Sequence, residues 1–115
     1  MARKQRLHRD RVHLRVDVEV ADRGPRLGHL VDISMGGLCV SGTGNALSEL
    51  ESARLCLRLP WKMAGRGSVE LDVRRSWLRP VEEGRVHAGY EITECDEDNQ
   101  LALEHLVVRF SGQEH

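Results

Sequence analysis

From Leu14 the chain alternates, with Leu14, Val16, Val18 and Val20 on one parity and Arg15, Asp17 and Glu19 on the other. A period of two predicts a strand with one face on a core and the other in water. Asp22-Arg23-Gly24-Pro25-Arg26 stops it, because Gly and Pro supply backbone angles that a strand does not use. A second strand is expected over residues 27–33, and a third from Leu38-Cys39-Val40, after the Gly36-Gly37 break. Residues 41–45 read as a Gly-rich loop and 46–51 as a loop with one helical turn.

Alternation returns at Leu55, Leu57 and Leu59, and Pro60 is expected to close that strand because it cannot donate to the ladder. In the next strand, from Ser68, Val69, Leu71 and Val73 face in. The same parity carried onward buries Arg75 and Arg79, which is costly without partners. A β-bulge near Arg74-Arg75, or a face open to ligand, resolves the conflict. A sixth strand, residues 85–93, places Val86, Ala88, Tyr90 and Ile92 on one face. The period then becomes helical: Ala102, Leu103, Leu106, Val107 and Phe110 form one stripe behind the acidic start Glu94, Asp96, Glu97 and Asp98. The predicted class is all-β with a C-terminal helix at about residues 96–110, a six-stranded antiparallel β-barrel whose open end or flank the helix covers.

At 115 residues the chain fits one domain. Its net charge of −1 hides a division: residues 1–15 carry Arg3, Lys4, Arg6, Arg9, Arg11 and Arg15 against Asp10 alone, or +5, leaving eleven cations against seventeen anions, or −6, on the rest. The expected organisation is a flexible basic arm, residues 1–10, on a barrel domain, residues 11–115. Such an arm suits an anionic ligand or a nucleic acid, or is simply a solvated tail. No apolar run is long enough to cross a bilayer and no secretory signal is visible, so a cytoplasmic location and no membrane partner are expected. Cys39, Cys56 and Cys95 are too scattered for a disulfide framework or zinc site and read as reduced core or near-core residues. The six histidines share no metal-ligand spacing, so no metal is expected.

Two motifs carry chemistry. Arg11-Val12-His13-Leu14-Arg15 offers two guanidiniums, and Asp32-Ile33-Ser34-Met35-Gly36-Gly37 offers a carboxylate, a hydroxyl and glycine backbone. Guanidinium forks pair with phosphate or with the O6/N7 edge of guanine, and a carboxylate accepts from guanine N1 and N2. In extended chain Arg11 and Arg15 lie about 13 Å apart on one side, so they can grip different parts of a ligand with two phosphates. Taken alone, the Asp-Ile-Ser segment is also compatible with a plain turn whose glycines serve positive φ angles.

Arg-x-x-x-Arg at 11–15 followed by Asp-x-Ser-x-x-Gly at 32–37 resembles the double signature of the bacterial PilZ domain. Leu38-Cys39-Val40, Ser76-Trp77 and Gly89-Tyr90-Glu91-Ile92 agree with it. The resemblance implies a barrel that binds the second messenger cyclic di-GMP, without catalytic activity and without a cofactor beyond that ligand. It implies that Arg11 and Arg15 contact phosphate and guanine as the arm folds across the barrel, that Asp32 and Ser34 meet guanine edge and phosphate, and that Gly37, beside Gly36, lets the turn approach the base. Where many members carry a further arginine before the first, this chain has Asp10, with Arg9 one step earlier. Trp77 corresponds to a position that stacks on guanine in the family, and a core position is equally compatible with its pattern. The function expected is a receptor that changes its surface on binding and signals through a separate partner protein, in motility or biofilm regulation. The alternatives are a PilZ-fold adaptor that binds no nucleotide, and a small nucleic-acid-binding barrel. The −6 body and four aromatic residues, Trp61, Trp77, Tyr90 and Phe110, speak against the last.

Overall fold

The computed structural model describes residues 14–112. Six strands, β1 (Asp17–Val20), β2 (Arg26–Ile33), β3 (Gly37–Thr43), β4 (Ser52–Met63), β5 (Arg66–Glu82) and β6 (Arg85–Glu94), are joined by two helices, α1 (Gly44–Ser48) after β3 and α2 (Glu97–Gly112) after β6. The strands pair antiparallel into a closed barrel in the order β1-β2-β3-β6-β5-β4, and β1 closes the ring on β4 through Asp17↔Arg58 to Val20↔Leu55. The alternation in the sequence becomes the wall of this barrel. Val16, Val18, Val40, Leu55, Leu57, Val69 and Leu71 are buried inside, while Arg15, Arg54, Arg58 and Arg74 stay outside. The arm expected over residues 1–10, with Arg9, and Arg11 beyond it lie outside the described residues.

Two local readings are corrected. The residues read as a Gly-rich loop after Val40 begin as strand: β3 continues to Thr43 because Ser41, Gly42 and Thr43 all pair with β6. Pro60 does not end β4, which runs on to Met63; the β4–β5 register shifts between Arg58 and Met63, so the missing N–H falls where no ladder bond is due. The cysteines are core or near-core as expected: Cys56 is buried, and Cys39 and Cys95 are half-buried.

The conflict over β5 is settled by a bulge at Ser76. Arg75 pairs with Tyr90 and Trp77 with Gly89, so one extra residue exchanges the two faces. Arg75, still on the inner parity, donates to the carbonyls of Leu47 and Ser48 at 2.9 Å each, which satisfies its half-buried guanidinium. Beyond the bulge Trp77 and Arg79 point out.

The helices close the apolar interior. α1 is short, but its Leu47 is fully buried, and Tyr90 Oη donates to Leu50 O at 3.1 Å just beyond it. α2 is started by Asp96, whose Oδ1 accepts from Asn99 N at 3.2 Å and from Asn99 Nδ2 at 2.9 Å, bonds that hold the Asp96 carboxyl below its usual range. Asn99 Oδ1 in turn accepts from Glu70 N at 2.9 Å and fastens the helix to β5. Ala102, Leu103, Leu106 and Phe110 are buried and Val107 half-buried, the expected stripe. Among the described residues no helix is long and apolar enough to cross a membrane. Leu47→Ala empties a fully enclosed position, and urea unfolding should show a loss of about 2–5 kcal/mol against wild type.

Candidate functional site

The turn between β2 and β3 is built by Ser34. Its N–H donates to Gly37 O at 2.8 Å, and its Oγ accepts from Gly36 N at 3.3 Å and Gly37 N at 3.2 Å while donating to Gly37 O at 3.3 Å. Ile92 N donates to Gly36 O at 2.9 Å and ties the turn to β6. Neither glycine takes a positive φ. Gly37 is needed for a different reason: a Cβ there would stand 2.8 Å from Tyr90 O, whereas one on Gly36 would meet open space. Asp32, exposed at the end of β2, accepts from Ile33 N at 2.9 Å through one oxygen. No cation pairs with it among the described residues.

Asp32, Ser34, Gly37, Cys39, Trp77 and Gly89 line one shallow cavity of about 260 Å³ on the outer face of the barrel. Register explains the convergence: Asp32 pairs with Cys39, Cys39 with Gly89, and Gly89 with Trp77, a row across β2, β3, β6 and β5. The indole of Trp77 lies directly on Gly89, where any Cβ would collide with the ring. Trp77 is 42% exposed, so it belongs to the outer face and not to the core. Arg79, two residues on, holds its guanidinium 5.1 Å from the Trp77 ring centroid. Burial, and after it the Asp32 carboxylate, pushes the Cys39 thiol above its usual pKa, which keeps it protonated.

Arg15 lines a second, larger groove of about 540 Å³ with Arg26, His29, Ser41, Arg85 and His87. Arg15 Nε donates to Asp17 Oδ1 at 3.1 Å and Arg26 donates to the same oxygen at 3.0 Å; the Arg26 bond, ahead of the others, lowers the Asp17 carboxyl. Arg85 donates to the buried Ser41 Oγ at 2.9 Å. Burial, reinforced by Arg15, Arg85 and Arg26, depresses the His29 pKa below its ordinary value, with Asp17 opposing.

The structure thus brings Asp32, Ser34, Gly37 and Trp77 together, with Gly36 in the same turn, and sets Arg15 in the adjoining groove. Arg9 and Arg11 lie outside the described residues. Sequence reasoning did not single out Cys39, Arg79, His29, Arg85 or His87 as site residues. The signal available was parity, since each alternates with an inward apolar residue, but only the register aligns them. Among the described residues no group of three or more His, Cys, Asp or Glu side chains could hold a metal ion.

A closed barrel with an aromatic, an acid and a tight turn on one outer face has the makings of a small binding domain. The PilZ domain family model matches residues 3–109, and the chain belongs to that family. Two solved structures share the fold. The Bacillus subtilis inhibitor of motility, MotI/DgrA, aligns at a TM-score of 0.62 and 22% identity over 89% of this chain and 48% of that one. The PlzA protein of Borreliella burgdorferi in complex with c-di-GMP aligns at 0.51 and 15% identity over 89% and 47%. This chain therefore spans about half the length of each. No curated protein matches it.

In a Trp61→Phe background, which leaves Trp77 as the single indole, Gly89→Ala should lift the ring from β6 and move its emission to longer wavelength. An unchanged spectrum would remove the Trp77–Gly89 contact.

Proposed function

We propose that this chain is a receptor for cyclic di-GMP that changes its surface when the ligand draws the Arg11–Arg15 segment over the barrel, and that it signals through a separate protein. The observation that carries the reading is the shared cavity of Asp32, the Ser34–Gly37 turn and the exposed Trp77, with Arg15 in the next groove along the same face. The carboxylate can accept from guanine N1 and N2, the indole offers a stacking surface, and guanidiniums bind phosphate.

Chain direction supports the use of the arm. β1 runs antiparallel beside β2, with Asp17 opposite His29 and Leu30 N donating to Val16 O at 2.9 Å. The described chain, from Leu14, therefore enters β1 from the side of the Asp32–Gly37 turn, which favours delivery of Arg11 to that end of the face. The basic arm then serves as a clamp, its ordering entropy offset by charge-assisted hydrogen bonds to the ligand. Membership of the PilZ family and the fold shared with an inhibitor of motility from Bacillus support a regulatory output in motility or biofilm formation, with the receptor in the cytoplasm and without enzymatic activity.

Calorimetry with cyclic di-GMP tests the reading. Each motif arginine contributes a charge-assisted set of roughly 1.5–3 kcal/mol, so Arg15→Ala should weaken binding about 10- to 150-fold. Asp32→Ala and Trp77→Ala should also weaken it while leaving the unfolding curve nearly unmoved. Limited proteolysis within residues 3–15 should slow on adding ligand. Absence of binding by wild type would favour the nucleotide-free adaptor instead.

A further inference from the structure

The larger groove lies outside both signature motifs apart from Arg15. His29 pairs with Ser41, Ser41 with His87, and His87 with Arg79, forming a second row parallel to the row of Asp32, Cys39, Gly89 and Trp77. The rows are two residues apart along β3 and along β6, hence on the same face and about 7 Å from each other. The guanidiniums of Arg15, Arg26 and Arg85 and the imidazoles of His29 and His87 line the groove, against the Glu82 carboxylate from β5. Arg85 is aimed by Ser41 Oγ, and Arg15 and Arg26 are steadied by Asp17, so the cations are positioned in advance.

We propose that this groove is a proton-linked oxyanion site, occupied by a phosphodiester of the same ligand whose base lies in the Asp32–Trp77 cavity, with His29 taking up a proton as the anion arrives. That occupant rests on the receptor reading above. A phosphodiester is charged throughout the neutral range, so the proton change belongs to the protein. The groups facing His29 are Arg15 ahead of β1, Asp17 on β1, Arg26 on β2, Ser41 on β3, and Arg85 and His87 on β6, with Glu82 at the rim from β5. Without the anion, burial and then three guanidiniums disfavour the His29 imidazolium. A phosphate oxygen reverses that field and favours imidazolium. By linkage, a group whose pKa rises on binding makes binding tighter as pH falls through the interval between its free and bound pKa values.

The test is calorimetry with cyclic di-GMP from pH 5.5 to 8 in buffers of different ionisation enthalpy, together with NMR titration of the imidazole resonances. Affinity should fall roughly three- to tenfold from the acid to the alkaline end, with proton uptake on binding. The chain has six histidines, so attribution rests on a variant. His29→Gln should abolish most of the pH dependence, weakening binding at pH 5.5 and leaving it nearly unchanged at pH 8. Cyclic di-GMP that binds without moving the His29 titration overturns the proposal and leaves the receptor reading intact. If cyclic di-GMP gives no heat at any pH, the receptor reading falls, and inorganic pyrophosphate decides the groove. A raised His29 titration then upholds an oxyanion site independent of that ligand, and an unmoved one disposes of it.

Discussion

The fold depends on its shortest strand. β1 spans Asp17–Val20 yet pairs with β2 on one side and β4 on the other. Without it, those two long neighbours become sheet edges with unpaired N–H and C=O groups. The closure is held mainly by the buried Val16 and Val18. The ion pairs outside them, Arg58 with Glu19 at 3.1 Å and Arg15 and Arg26 with Asp17, are exposed, and such pairs contribute only about 0–1 kcal/mol each. Apolar parity makes the barrel, and the surface charges are free to serve other ends.

Those charges are distributed unequally around the outside. On β1, β4 and the first half of β5 the cations meet carboxylates: Arg58 with Glu19, Arg54 with Asp72 and Glu70, Arg74 with Glu91 on β6. Across the outer face of β2, β3, β6 and the second half of β5 the contacts are mixed: Arg15 and Arg26 share the one carboxylate of Asp17, and the rest are of another kind. Arg79 rests on an indole and Arg85 on a hydroxyl, while His29 is pushed toward neutrality by burial and guanidiniums. Cations held by neutral partners retain their attraction for an anion, whereas those held by carboxylates have largely lost it. On the binding face Arg79 and Arg85 are thus kept off carboxylates, while Arg15 and Arg26 share a single one.

Much of this was readable from residue order. The alternation of Val69, Leu71 and Val73, of Val86, Ala88 and Tyr90, and the 3.6-residue stripe from Ala102 to Phe110 each reflect a buried face whose period is set by local geometry. Other features depend on pairing between distant segments, which carries no local signature. Pro60 inside β4 is tolerated because the β5 partner slips out of register there, and Ser41-Gly42-Thr43 is strand because β6 is present to pair with it. Cys39 looks like core because it sits between Leu38 and Val40; its outward direction follows from strict alternation. The Arg-x-x-x-Arg and Asp-x-Ser-x-x-Gly motifs marked the hairpin turn and Arg15. The second row of the face was invisible, since His29, Arg85 and His87 acquire a common location only through the register of three strands.

The bulge at Ser76 shows how one residue connects these levels. Had β5 kept its parity, Trp77 and Arg79 would point into the barrel, where a guanidinium without partners is far more costly than the irregularity itself. Because the strand slips once, Arg75 ends the inner face by bonding the carbonyls beside α1, and the next two odd residues join the outer one. The bare Cα of Gly89 then admits the indole flat against the sheet. On the receptor reading this fixes a stacking surface beside Asp32 at no cost in mobile side chains. Arg15 is a group that the ligand must recruit from a standing contact. Its exposed pairing with Asp17 is worth about 0–1 kcal/mol, against roughly 1.5–3 kcal/mol for a hydrogen bond to a charged group. A phosphate can therefore take Arg15 from Asp17 without disturbing the strand that closes the barrel, and this separates the switch from the fold.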